Sequence, residues 1–155
     1  VWLYIFKSKI IKKKIFFIED ISPADDTAFI YKVLTNNSNI VYINEKLVFH
    51  RSHEASIMRK GKKDKLLNSI QIMLIKLVKY SKSISRFYKD IKLFRFFNAV
   101  CFMHVGQVGL WNFIKISKKN NFFYFLYRNA TLFSFVTLKL FLKGLLYKNK
   151  NKRLI

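Results

Sequence analysis

Hydrophobic positions in this chain recur mostly at helical intervals. Leu66, Leu67, Ile70, Met73, Leu74, Leu77 and Val78 fall at i, i+3, i+4 and i+7, which predicts an amphipathic helix over 64–80 with one wide apolar face. Asp64 stands where an N-cap belongs, since its carboxylate can accept from the free amides of the first turn. The polar break Ser81-Lys82-Ser83 separates this helix from a second, starting at Ser83 or Ser85, with Phe87, Tyr88, Ile91, Phe94 and Phe97 on one face. Upstream, Ser22-Pro23-Ala24-Asp25 predicts a helix start: serine caps, proline takes the first helical position, and Asp25 reaches back. Ala28, Phe29, Tyr31, Lys32 and Leu34 continue that helix, and the polar run Thr35 to Asn39 ends it.

Other stretches have a different pattern. Residues 40–57 fit either a hairpin around Asn44-Glu45 or a helix capped by Asn44 and running to Met58. Over 99–116, Val100, Phe102, Val105 and Val108, then Leu110, Phe113, Ile114 and Ile116, flank Gly106 and Gly109. Two β-prone runs around paired glycines predict a β-ribbon. Lys118-Lys119-Asn120-Asn121 is a predicted turn. Residues 122–146 predict one or two buried helices, their longest uncharged run being too short to span a bilayer. Residues 1–18 hold two short apolar runs around Lys12-Lys13-Lys14 and predict an extended arm. Cations in the middle of that arm argue against a secretory signal, and the lack of arginine argues against a cleavable mitochondrial presequence. A start at Val1 suggests processing or an unusual start codon.

Composition narrows the function. The chain has 155 residues, 52% hydrophobic and 17% aromatic, with 30 basic against 8 acidic residues and a net charge of +22. One domain of this size can bury a real core, so it is not a disordered basic tail. A folded domain this cationic repels itself, and a polyanionic partner is expected. Nucleic acid is the first candidate and an anionic membrane surface the rival. After Asp90 no carboxylate follows, while bases continue to Arg153. Phe, Ile, Lys, Asn and Tyr share AT-rich codons, which points to an AT-rich genome.

The sharpest chemistry is a basic loop at the start of the 64–80 helix. Arg59, Lys60, Lys62, Lys63 and Lys65 surround Gly61, which allows a tight turn and close approach to a ligand. Loop cations and first-turn amides together suit phosphate. The same stretch is not a nucleotide-binding P-loop, because the upstream glycine is missing. His50, Arg51, Ser52, His53 and Glu54 lack the order of a zinc-protease helix and a third ligand. Cys101, a lone cysteine, excludes a disulfide framework and is expected to be a small buried hydrophobe. Trp111, Phe113 and Tyr124 are candidates for stacking on exposed bases. No catalytic constellation is found, so no enzyme and no cofactor is expected. A metal-dependent nuclease would need clustered carboxylates, which the half after Asp90 does not supply.

The order helix, Met58-Arg59-Lys60-Gly61-Lys62-Lys63-Asp64, helix, helix, glycine-containing ribbon, helices and basic tail resembles small-subunit ribosomal protein seven. Met58, Gly61, Lys62, Lys63 and Asp64 match the family's methionine, basic glycine-lysine-lysine stretch and capping residue. Leu66, Ile70, Leu74 and Leu77 match apolar positions of its long helix, and Ser85, Phe94 and Phe97 those of the next. Val108-Gly109 and Phe113 match its ribbon. Its second ribbon glycine is Leu110 here, its ribbon arginines are replaced by His104, Gly106 and Gln107, and its ribbon proline is absent. Asn149 to Arg153 are the expected remnant of its basic tail motif, with its final helix expected to be missing.

The resemblance covers roughly residues 44–153. It implies a mainly α helical bundle with a protruding β-ribbon over about 99–116 and a helical reading of 44–58, while residues 1–43, read from their own pattern, are expected to be an N-terminal arm and short helix. It also implies a structural protein of the small-subunit head, bound to the 3′ domain of the small-subunit ribosomal RNA. Neighbouring ribosomal proteins of the head and platform are its other implied partners, with the ribbon toward the exit-site transfer RNA and the messenger path. RNA contacts are expected from the basic loop, from His104, Gln107, Trp111 and Lys115 of the ribbon, and from Lys118 and Lys119 after it. Arg128 and the tail lysines Lys148, Lys150 and Lys152, with Arg153, complete the expected set. The implied setting is the mitochondrial matrix, with no small-molecule substrate and no membrane partner. The rival reading is a basic accessory subunit of an organellar inner-membrane respiratory complex, with segment 122–146 against lipid.

Overall fold

A computed structural model of the chain describes residues 15–19, 21–22, 24–36, 41, 45 and 62–151, with side chains in the last helix described as far as residue 146. Among the described residues the chain is mainly α-helical and contains no strand. The expected helix or hairpin over 40–57 lies outside the described residues, apart from two isolated positions.

Helix α1 (Asp25–Thr35) starts with Asp25 and Asp26 in its first turn, where carboxylates complement the helix dipole. Ser22 does not cap it. Ala24 takes the N-cap position without a side-chain hydrogen bond, while the Ser22 carbonyl accepts from Ser69 Oγ at 2.6 Å. That bond ties the approach to α1 onto the next helix. At the other end Asn36 closes α1 by donating Nδ2 to the Lys32 carbonyl at 2.7 Å.

Helix α2 (Lys63–Ser83) is the centre of the core. Leu67, Ile70, Met73, Leu74, Leu77 and Val78 are buried on it, the face its spacing predicts. Asp64 lies in the first turn, while Lys62, in an extended conformation, holds the N-cap position. Helix α3 (Phe87–Met103) begins later than Ser83 or Ser85, because Ser85 is spent on a left-handed turn with φ 57°. Tyr31 of α1 donates its hydroxyl to Asp90 Oδ2 at 2.6 Å, and Ser81 Oγ donates to the same oxygen at 3.1 Å. The last carboxylate of the chain therefore joins α1, α2 and α3. Burial, and next the hydrogen bond to Asp90, push the Tyr31 phenol above the ordinary tyrosine value of 10.0. A raised folded-state pKa means this contribution is complete below pH 10 and is lost as pH climbs beyond it. Stability against urea is expected to fall above pH 10, and more steeply than in Tyr31→Phe; equal slopes in the two proteins would refute the assignment.

The expected β-ribbon over 99–116 is replaced by helix. After α3 come α4 (Val105–Val108), α5 (Leu110–Lys119), α6 (Phe122–Arg128), a 3-10 turn (Ala130–Leu132) and α7 (Phe135–Asn151). The two glycines do not form a hairpin. Gly109, at φ 84° and ψ 148°, takes a conformation nearly reserved for glycine and breaks the helix between α4 and α5. Gly106 lies against Gly144 of α7, so close that a Cβ there would sit 2.0 Å from the Gly144 carbonyl oxygen. Arg95 Nε donates to the Thr131 carbonyl at 2.7 Å and Asn98 Nδ2 to that of Leu132 at 3.1 Å. These bonds hold the 3-10 turn against α3, and α7 beyond it packs alongside α3. Phe102 fills the joint, its ring 5.2 Å from Phe113, 5.8 Å from Phe133 and 5.8 Å from Phe141.

Candidate nucleic-acid interface

The sequence places lysines at the start of α2 and, far along the chain, at the end of α5. A buried polar clasp brings the two together. Gln71, wholly buried, donates Nε2 to Ser117 Oγ at 2.8 Å. Asn120 donates Nδ2 to Gln71 Oε1 at 3.1 Å and to Asn68 Oδ1 at 3.1 Å. Gln71 and Ser117 cannot part cheaply, since both are fully buried and parting would leave unpaired polar atoms in the core, while Asn68 and Asn120 extend the clasp toward its half-buried edge. The clasp fixes the C-terminal end of α5 beside the first turns of α2. Lys65 is three residues before Asn68 and so shares its face of the helix, while Lys118 and Lys119 immediately precede Asn120.

At this end of the molecule Lys62, Lys63 and Lys65 are exposed, as are Lys115, Lys118 and Lys119. Asp64, also exposed, is the sole carboxylate on α2 or α5. Lys118 and Lys119 sit in the last turn of α5, where cations also complement the helix dipole. The α2 lysines have no such structural reason: they stand at the positive end of the dipole, which opposes them. A bound anion would relieve both the dipole and the mutual repulsion.

Three lysines elsewhere donate to neutral oxygens. Lys32 donates to the Phe16 carbonyl at 3.2 Å, Lys76 to that of Glu19 at 3.1 Å, and Lys82 to Asn129 Oδ1 at 2.6 Å. Burial, and after it the nearby Lys76, hold the Lys32 ammonium below the usual lysine range. The cations of the α2–α5 end are set apart by their grouping, two clusters carried by the facing ends of two helices and both exposed to solvent.

Other expected contact residues distribute differently. His104 is buried and its Nδ1 lies 2.8 Å from the Val100 carbonyl. It is a packing residue at the α3–α4 joint and does not face solvent or RNA. Phe113, 2% exposed, belongs to the core and cannot stack on a base. Gln107 is exposed on α4, and Trp111 is exposed in the first turn of α5. Arg128 is exposed on α6, donating Nη1 to Tyr124 Oη at 3.0 Å. Lys148 and Lys150 fall within α7 beyond its described side chains. Arg59, Lys60, Gly61, Lys152 and Arg153 lie outside the described residues.

Cys101 is fully buried and burial pushes its thiol pKa up, which leaves it inert. His50 and His53 lie outside the described residues, and among those described no three His, Cys, Asp or Glu side chains gather as a metal would need.

Sequence reasoning missed the clasp, although it left a trace. Gln71 stands four residues after Leu67 and three before Leu74, on the apolar face of α2. Ser117 stands four after Phe113 on that of α5. A polar side chain at such a position calls for a partner. Compared with protein-family models, curated proteins and solved structures, the chain matches none.

Proposed function

We propose that this protein is a structural RNA-binding component of the small ribosomal subunit of an AT-rich organelle, a mitochondrion in the first instance. In this reading it is a helical relative of ribosomal protein seven that carries helix where that family carries a ribbon. It lies in the subunit head against the 3′ domain of the ribosomal RNA, among neighbouring head and platform proteins, and performs no catalysis. The observation that carries the RNA reading is the clasped end, where the lysine-bearing end of α5 is held beside the lysine-bearing first turns of α2. The ribosomal part rests on the order of motifs around Gly61-Lys62-Lys63 and the helices that follow them.

The mechanism is architectural. An aromatic core holds α2 and α5 in fixed relation, so their lysines straddle phosphates without reading base sequence. Each phosphate neutralised releases counterions, and affinity is expected to fall linearly in log[salt], with a slope of about −0.7 to −0.9 per contact. Gradient sedimentation of organelle lysates tests the assignment: the protein is expected with small subunits at low salt and released at high salt. Its absence from that fraction at every salt concentration would refute the ribosomal reading.

A second reading is favoured by one feature. Phe135, Leu138, Leu142 and Leu146 make an exposed apolar ridge along α7, with exposed Lys139 and Lys143 beside it. An accessory subunit of an organellar membrane complex could lay such a ridge against lipid or an apolar neighbour. No described helix is long and apolar enough to cross a membrane. Retention on membranes after carbonate extraction would favour this second reading over the first.

A further inference from the structure

Trp111 is 78% exposed. It lines a shallow depression on α5 together with Ile114, Lys115 and Lys118. The four positions are i, i+3, i+4 and i+7, so they form one continuous face of the helix. The indole and a half-buried isoleucine give the depression an apolar lining, and the two lysines that complete it are exposed. No acidic residue follows Asp90, so nothing on α5 neutralises them. Lys118 also belongs to the last turn of α5, the end that the clasp holds beside α2.

We propose that this face binds one unpaired nucleotide of RNA, with the base stacked on Trp111 and its flanking phosphates held by Lys115 and Lys118. The proposal rests on the RNA-binding reading above and deepens it. The chemistry is that of single-strand recognition: an aromatic plane for the base, and cations on the same helix face for the backbone. A duplex hides its base faces within its own stack, so it can satisfy the lysines but not the indole. An exposed ring beside cations therefore selects an unstacked base at a bulge, loop or strand end. The other basic residues of the clasped end, by contrast, accept phosphates of paired or unpaired RNA alike.

Trp2 and Trp111 are the two tryptophans of the chain, so Trp2→Phe in the full-length protein leaves Trp111 as the sole indole reporter. This protein is titrated with single-stranded oligouridylate, with a duplex of equal phosphate content, with polyphosphate and with anionic vesicles. Saturable quenching by the single strand, and little by duplex or polyphosphate, is the expected result. Trp111→Ala is expected to weaken single-strand binding about tenfold, leaving duplex affinity and the salt slope unchanged, whereas Lys115→Gln with Lys118→Gln lowers the slope. Because Trp111 is exposed, far-UV circular dichroism of Trp111→Ala is expected to match the parent. An unchanged indole signal while RNA binds with a steep salt dependence would overturn this site and leave the RNA reading standing. Failure to bind RNA at any salt concentration would overturn both. Quenching by vesicles alone would give the face to a membrane and overturn the nucleotide assignment.

Discussion

Replacing Gly106 with valine is expected to cost about 3 kcal/mol or more of folding stability, the upper range for overpacked positions. The obstacle is backbone. An added Cβ would stand 2.0 Å from the Gly144 carbonyl oxygen and 2.8 Å from its carbonyl carbon. No side-chain rotation relieves that contact, so α4 and α7 must separate. Separation also loosens the Phe102 joint with Phe133 and Phe141, adding lost burial to the steric term. For a domain of ordinary stability, roughly 5–15 kcal/mol, such a loss removes a large fraction of the total. With a urea slope of about 2 kcal/mol per molar, the unfolding midpoint should drop by about 1.5 M. Gln107→Ala, next door but exposed, is the matched control and should shift it little. A Gly106→Val midpoint equal to that of the control would mean that α4 and α7 are not in contact.

The same contact explains where the sequence misleads. Val100, Phe102, Val105 and Val108 are β-prone residues beside glycines, and locally they suit a ribbon as well as a helix. What decides between them is Gly144, a distant residue whose backbone needs a partner without a side chain. Local pattern does not contain that information. The face of α2 was legible because its apolar spacing is long and regular, and all its predicted residues but the partly buried Leu66 are buried. Helix starts were less legible. Ser22, Asp64 and Ser85 all look like caps, yet one lends its carbonyl to Ser69, one sits inside the first turn, and one makes a left-handed turn. Small polar residues near helix ends have several local uses, and tertiary contacts choose among them. For the interface, each lysine was visible in the sequence, but their meeting was not. That meeting depends on Gln71, Ser117 and Asn120, and a pairing across the fold is not written in either segment alone. His104 was misplaced for a related reason, because its expected exposure followed from the ribbon.

Reversing charge at the clasped end should produce the largest loss of RNA binding. With Lys65, Lys118 and Lys119 all changed to glutamate, affinity for small-subunit RNA is expected to fall by about 100-fold at about 0.1 M salt, equivalent to about 3 kcal/mol. The salt slope should also become shallower by about 2–3, the share of three phosphate contacts. The three side chains are exposed, so the fold has no need of their charge; self-repulsion at this end is in fact relieved by the change. Stability should therefore hold or rise while binding collapses, a divergence that general damage cannot mimic. Reversing three exposed cations elsewhere, at Lys89, Lys92 and Lys139, provides the comparison. It alters net charge by the same amount and so tests whether place or total charge governs binding. If both triple variants lose affinity equally, the protein binds RNA as a diffuse cation and the clasp has no functional meaning. If only the clasped-end variant fails, the bond from Gln71 to Ser117 is what turns scattered lysines into a binding surface. Gln71→Leu should then weaken binding without removing any charge, by letting the end of α5 drift from α2.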